Sequence, residues 1–284
     1  MNTLFLNIII LANITITKAI ATKNIIMVIN PNLIIILISA VFVAIASGLI
    51  SSFLVLRRMT LVSDALSHVA LPGIALGIIL KFQPIIGGLI FLFVGVLIIW
   101  RLEFQTKLAA ESLTGVVFTT ALAIGSLMAS ETDLLEAFFG SISNITLFQI
   151  VVQTVLALVV IFITLKYLKK IVLFSIAPDL SYSVGLSNQR IELILLLILA
   201  LTMSIGISFV GVLLMSSLLI IPAVTARQLV ASFKGFVELS VILATVDLLG
   251  GIIISVIFKV QPGIATTLIG SAIFALSLII PKRY

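Results

Sequence analysis

The sequence predicts an all-α, polytopic transmembrane helix bundle of eight or nine spans. Of its 284 residues, 62% are hydrophobic and only 9% are charged. Soluble chains are about one-quarter charged on average, and a soluble core of this size cannot bury so much apolar surface. Apolar runs long enough to cross a bilayer, about 20 residues each, recur along the chain. The composition therefore excludes an ordinary soluble enzyme, a disordered chain and a fibrous repeat.

Nine apolar runs are predicted to be membrane helices, because a helix satisfies its backbone hydrogen bonds internally in lipid. In chain order they lie near 33–56, 61–80, 84–100, 113–130, 145–165, 191–207, 209–226, 236–257 and 263–280. Residues 31–284 are assigned to one transmembrane domain. Pro72 and Pro222 lie inside two of these runs, and each is expected to kink its helix because it removes a backbone donor.

Residues 1–30 are interpreted as an N-terminal extension whose status stays open. The apolar stretch from Leu4 to Ile16 is short and interrupted by asparagines, and it lacks the cationic start of a signal peptide. Two interpretations remain. The stretch is a tenth, shorter span, or it precedes a true start at Met27.

The cations predict the orientation of the bundle. With the nine runs as spans, 12 of the 16 lysines and arginines fall in loops on one side. The positive-inside rule places that side, with the C-terminus, in the cytoplasm. The acidic cluster Glu131, Asp133 and Glu136 then lies outside.

The longest predicted cytoplasmic loop, 166–190, contains helix breakers at Pro178 and Gly185. Within it, residues 179–185 are predicted to form a short helix with Asp179 at its N-terminus. A short helix at the cytoplasmic surface suits docking to a partner. An ordinary loop is the alternative interpretation.

Ionisable residues inside a span are costly and usually functional, which directs attention to Asp64, His68 and Asp247. Asp64 and His68, the only histidine, are four residues apart and share one helix face. Gly73 and Gly77 lie on the opposite face, at about 180° and 220° from Asp64, and form a GxxxG surface for close helix packing.

An aspartate and a histidine one turn apart form half of a site for a divalent cation such as Zn2+, Mn2+ or Fe2+. A two-fold dimer with this face on its axis would present four ligands. The alternatives are a structural hydrogen-bonded pair and a proton relay. Asp247 is a candidate third ligand or proton carrier, and a structural hydrogen bond explains it equally well.

Several chemistries are excluded by missing motifs. The chain contains no cysteine and no Gly-Lys dipeptide, so it has neither a thiolate metal site nor a phosphate-binding P-loop. We therefore expect a transport protein without enzymatic activity or bound cofactor. If ATP drives transport, it is hydrolysed on a partner chain. The net charge of +6 is interpreted as a topology signal rather than a nucleic-acid footprint.

Two long stretches resemble one family, the ZnuB-like membrane permeases of bacterial ABC importers for zinc, manganese and iron. They are "VLRRMTLVSDALSHVALPGIALGIIL" from Val55 and "GVLLMSSLLIIPAVTARQL" from Gly211. Shorter similar stretches are "ESLTGVVFTTALAIGSL", "FFGSISNIT" and "APDLSYSVGL". The resemblance covers roughly residues 33–281.

The resemblance implies a multi-pass protein of the bacterial cytoplasmic (inner) membrane that works as a dimer. Its implied partners are cytoplasmic ATPase subunits and an extracytoplasmic metal-binding protein. It assigns Asp64 and His68 to the family's "DAxSH" motif in the metal path. It also makes the segment near 174–190 the ATPase-coupling segment. The coupling residues are Pro178, Asp179, Leu180, Val184, Gly185 and Leu186.

Three classes of function fit a membrane protein with these residues. An ATP-driven importer of a divalent metal is favoured, and zinc is favoured as its substrate because four His and Asp ligands suit tetrahedral coordination. A manganese or iron importer of the same family is the first alternative. A proton- or sodium-coupled secondary transporter is the second. A permease for siderophores or cobalamin would need a wider polar cavity.

Overall fold

The computed structural model describes residues 31–106, 108, 110–128, 138 and 145–280. Within these residues the regular structure is helical throughout. The helices are α1 (Pro31–Arg57), α2 (Thr60–Ile79), α3 (Pro84–Thr106), α4 (Ala110–Met128), α5 (Leu147–Ile176), α6 (Pro178–Ser183), α7 (Asn188–Val210), α8 (Val212–Leu229), α9 (Phe233–Phe258) and α10 (Pro262–Ser277). The extension at 1–30 and the acidic cluster at 131–136 lie outside the described residues.

The predicted all-α transmembrane bundle is confirmed, and every predicted span corresponds to a helix. Six helices of the described part are long and apolar enough to cross a membrane, namely α1, α2, α3, α5, α7 and α9. Shorter apolar helices are present at Ser112–Gly125, Leu214–Leu229 and Pro262–Ser277. These belong to α4, α8 and α10.

Local sequence signals set several helix ends. Thr146 and Gln149 form a capping box at the start of α5, each side chain bonding the other's backbone N–H. Gly211, with φ 85°, separates α7 from α8 in a backbone conformation that favours glycine. Pro262 occupies the first turn of α10, where no backbone donor is lost.

The prediction of a loop at 166–190 is wrong over its first part, because α5 is 30 residues long and ends only at Ile176. This extension is amphipathic. Its lysines at 166, 169 and 170 are exposed, while Ile171 and Phe174 are buried against the bundle. The charges that suggested the end of the span therefore lie on the outer face of a continuing helix.

Helices α1 and α2 each pack against several other helices of the bundle. α1 packs against α5, α7, α8 and α9, and it buries Ile50, Phe53 and Leu54 completely. α2 packs against α3, α4 and α8. These contacts hold α2, which carries Asp64 and His68, on three sides.

The glycine face of α2 lies against α3. A Cβ atom at Gly73 would overlap the backbone carbonyl of Gly87, and a Cβ atom at Gly77 would lie 2.7 Å from Cα of Pro84. The two backbones therefore touch, as small residues allow at membrane helix interfaces. Pro72 and Pro222 lie inside α2 and α8, and the kinks expected there stay predictions.

Substituting Gly73 by alanine is expected to lower the free energy of unfolding by about 1–3 kcal/mol, because the added methyl group forces two backbones apart. Thermal unfolding in detergent micelles measures this loss. Gly115 on α4 is the matched control, since a Cβ atom there meets nothing within 4 Å. Gly115→Ala is expected to leave stability unchanged or to raise it by up to about 1 kcal/mol. Equal stability of the two variants would contradict the close packing of α2 on α3.

Candidate functional site

The face of α2 opposite its glycines carries Asp64 and His68. Asp64 is exposed in the single chain, whereas His68 is only 8% exposed. The carboxylate is close enough to interact electrostatically with the imidazole. The pair thus combines an accessible anionic oxygen ligand with a largely buried nitrogen ligand one helical turn away.

Phe118 of α4 orients the His68 ring. Its ring meets the imidazole edge-on, with the centroids 4.9 Å apart and the planes at 69°. The buried Nδ1 atom of His68 has no hydrogen-bond partner in the described part of the chain. An imidazole held by packing rather than by a hydrogen bond keeps its nitrogen atoms available for a ligand. Phe118 was not predicted as part of the site, because no local motif marks it.

The described residues of one chain do not complete a metal site. Within the described residues, no three His, Asp or Glu side chains come close enough to hold an ion together. Among the described residues, Asp64 and His68 therefore form a pair of ligands without a third.

Asp247 lies on α9 and is not grouped with Asp64 and His68. It is 3% exposed, and its Oδ1 atom has no hydrogen-bond partner among the described residues. Gly270 of α10 leaves room for it, because a Cβ atom there would lie 2.8 Å from Oδ2 of Asp247. Its roles as third ligand, proton carrier or structural group stay predictions.

The predicted short helix in the coupling segment is present as α6. It begins with Pro178 at its first position and has Asp179 in its first turn, which suits the helix N-terminus. Gly185, with φ 80°, follows the helix, and the Leu186 N–H donates to the Ser181 carbonyl at 3.1 Å. This is the closing bond of a Schellman motif.

The predicted coupling segment combines an exposed apolar surface with a fixed base. Its exposed large apolar side chains are Leu180, Tyr182 and Val184. On the inner side Ser181 is fully buried, and Leu186 packs against the main core. The Asn188 side-chain amide donates to the Pro178 carbonyl at 3.0 Å, which ties the start of α6 to α7.

A group of charged residues near the predicted coupling segment comes together only in the structure. In the sequence, Arg57 is simply one of the 12 cations on the predicted cytoplasmic side. In the structure its Nη2 atom lies 3.8 Å from Oε1 of Glu192, and its guanidinium lies 4.0 Å from the centroid of the Phe174 ring. An acid in the second turn of an apolar helix was the only sequence signal.

Known proteins resemble the chain over nearly its whole length. The model of a family described as the ABC 3 transport family matches residues 29–281. The high-affinity zinc uptake system membrane protein ZnuB of Haemophilus influenzae is 27% identical over 253 residues, which are 87% of this chain and 97% of that protein. The manganese transport system membrane protein MntC of Listeria monocytogenes is 30% identical over 252 residues, which are 87% of this chain and 90% of that protein.

A solved structure, PsaBC from Streptococcus pneumoniae in complex with Fab, has the same fold. It superimposes with a TM-score of 0.81 at 26% identity. The match covers 92% of this chain and 96% of the PsaBC chain.

Proposed function

From its membership in the ABC 3 transport family, to which the chain belongs, we propose that it imports a divalent metal ion, most favourably zinc, as the permease of an ATP-driven transporter. The observation that carries the proposal is the Asp64–His68 pair on α2. Family membership favours ATP-driven import over the secondary-transport alternative.

The ligand chemistry supports a bare metal ion as the substrate. Carboxylate oxygen and imidazole nitrogen are ligands that zinc, manganese and ferrous iron all accept. The described part of one chain offers Asp64 and His68 without a third ligand beside them, so we propose that two copies pair with this face on a two-fold axis. The four ligands then suit the tetrahedral coordination of zinc.

We propose one partner on each side of the membrane. Cytoplasmic ATPase subunits dock on the exposed apolar residues of α6, and an extracytoplasmic metal-binding protein delivers the ion on the opposite side. The C-terminus then lies in the cytoplasm, and the protein is placed in the bacterial inner membrane. No nucleic acid takes part.

In the proposed mechanism the metal is held between the two α2 helices at Asp64 and His68 while the path is open to the outside. ATP binding and hydrolysis on the partner subunits change the position of α6 and switch access to the cytoplasm. The pair binds metal in its deprotonated form and releases it once the ligands separate.

Manganese is the second candidate substrate, since the relative that is 30% identical is named as a manganese transport protein. The two metals prefer different coordination. Zinc is satisfied by four ligands, whereas manganese takes up additional oxygen ligands.

Uptake by the reconstituted complex distinguishes the two substrates. The permease, ATPase and binding protein are placed in proteoliposomes, and ATP-dependent accumulation of zinc, manganese and iron is measured separately and in competition. We expect accumulation of zinc, and excess zinc should suppress that of the other metals. Accumulation of manganese alone would overturn the zinc assignment, and accumulation without ATP would overturn the ATP-driven mechanism.

A further inference from the structure

Arg57, the last residue of α1, contacts side chains from two helices that flank the coupling segment. Its partners are Phe174 at the end of α5 and Glu192 at the start of α7. Glu103 of α3 lies close enough to interact electrostatically with Arg57 and Glu192. We refer to Arg57, Glu103, Phe174 and Glu192 as the Arg57 junction.

The Arg57 junction is largely withdrawn from solvent. The Arg57 and Glu192 side chains are 22% and 20% exposed, and Phe174 is 2% exposed. Nε of Arg57 is buried without a hydrogen-bond partner in the described residues. Separating a guanidinium from its carboxylate in such surroundings is costly, because each charge is left poorly solvated. The junction therefore favours joint movement of the helices it connects.

The contacts of Arg57 reach both ends of the coupling segment. Phe174 lies two residues before the end of α5, and α6 follows after Ala177 alone. Glu192 lies in the second turn of α7, and Asn188 in the first turn holds the Pro178 carbonyl. A displacement of α6 is thus passed to Phe174 through the chain before it and to Glu192 through the chain after it.

Arg57 is also connected tightly to α2. Only Arg58 and Met59 separate α1 from α2, and Arg58 has a φ of 58°. The Met59 N–H donates to the Leu54 carbonyl at 2.9 Å, which closes the end of α1 and fixes the link. Asp64 follows within the first two turns of α2. Movement of Arg57 therefore changes the position of the residue proposed to bind metal.

We propose that Arg57 is a positioning residue that makes α6 and the start of α2 move together, so that the state of the ATPase sets the position of Asp64. This inference rests on the proposed function for its biological meaning. The physical claim, a rigid connection between α6 and α2 through Arg57, is tested separately from metal transport.

A distance measurement between α6 and α2 tests the connection. The chain contains no cysteine, so spin labels can be attached at Leu61→Cys on α2 and Ser183→Cys on α6, two exposed positions. In dimers that contain one labelled and one unlabelled chain, with Arg57 present, we expect one narrow distance distribution in nanodiscs, unchanged when the ATPase and a non-hydrolysable ATP analogue are added. With Arg57→Met we expect a broadened distribution that also shifts with nucleotide.

Two further variants separate the role of Arg57 from general damage. Glu192→Gln removes the ion pair while keeping the shape of the side chain, and it should broaden the distribution even if Arg57→Met fails to fold. Lys234→Met is the matched control, because the Lys234–Glu238 pair at 3.7 Å is exposed, with side chains 88% and 62% accessible. Surface pairs of this kind contribute little, so its distribution should match that of the unmodified chain.

A transport assay gives a second measurement, which depends on the proposed function. The number of ions moved per ATP hydrolysed should fall about 2- to 30-fold in Arg57→Met, the range expected for a lost coupling contact. An unchanged distance distribution in both Arg57→Met and Glu192→Gln would overturn the inference. A narrow distribution with Arg57 present, in a complex that moves no metal, would instead overturn the proposed function and leave the connection standing.

Discussion

Replacing Asp64 or His68 by alanine is expected to abolish metal uptake while leaving the folded bundle and its binding to the ATPase intact. In a two-fold pair each substitution removes two of the four proposed ligands. Removal of a residue that only supports a metal ligand already costs 10–100-fold, so loss of the ligands themselves should lower uptake by more than about 100-fold. ATP-dependent metal accumulation in proteoliposomes measures the effect.

Matched substitutions keep this test specific for ligand chemistry. Asp64→Asn retains the size of the side chain without its negative charge, and His68→Phe retains a ring against Phe118 without a nitrogen atom. Ser63→Ala is the control on the same helix. The Ser63 hydroxyl is buried and donates to the Thr60 carbonyl at 2.8 Å, one residue from Asp64, and it is not a proposed ligand. Its loss should leave uptake unchanged.

The same site predicts that uptake falls at low pH. Protons compete with the metal, since carboxylate and imidazole bind it only in their deprotonated forms. If Asp64→Asn and His68→Phe both transported metal at the rate of the unmodified chain, the site assignment would be wrong, whatever the pH dependence.

The helical period was sufficient to predict the two faces of α2. A spacing of four residues places Asp64 and His68 together, and the same period places Gly73 on the side that contacts α3. The short helix α6 was also predictable, because Pro178 and Gly185 bound it with local backbone preferences. In both places the structure depends on residues that are neighbours in sequence.

Contacts between distant segments could not be predicted from the sequence. The Arg57–Glu192 pair joins residues far apart in the chain. The strength of this ion pair depends on how far it is buried, which composition does not reveal. Gly270 resembles any helical glycine until the structure places it beside Asp247. The continuation of α5 beyond its lysines was not predicted for a related reason. Lysines mark the end of a membrane span, but a helix can continue past that point with its lysines on an exposed face.

Substitution of the exposed apolar residues of α6 is expected to prevent binding of the ATPase. Leu180, Tyr182 and Val184 are 53%, 76% and 58% exposed, and a cluster of this kind at one surface is typical of a protein interface. A buried tyrosine at the centre of an interface contributes about 2 kcal/mol or more, so Tyr182→Ala should weaken binding at least about 30-fold. Leu180→Asp adds an unpaired charge and should abolish it.

Titration of the purified permease in nanodiscs with its ATPase subunit measures this affinity directly. Leu147→Asp is the matched control, because Leu147 is also an exposed leucine, 61% accessible, but it starts α5 at the end opposite to α6. An aspartate there suits the helix N-terminus and should leave both folding and binding unchanged. Because Ser181 and Leu186 hold the base of α6, the two α6 variants should unfold at the same temperature as the unmodified chain. If Tyr182→Ala and Leu180→Asp both bound the ATPase as tightly as the unmodified chain, the ATPase would dock elsewhere. The Arg57 junction would then lie beside a segment that the ATPase does not move.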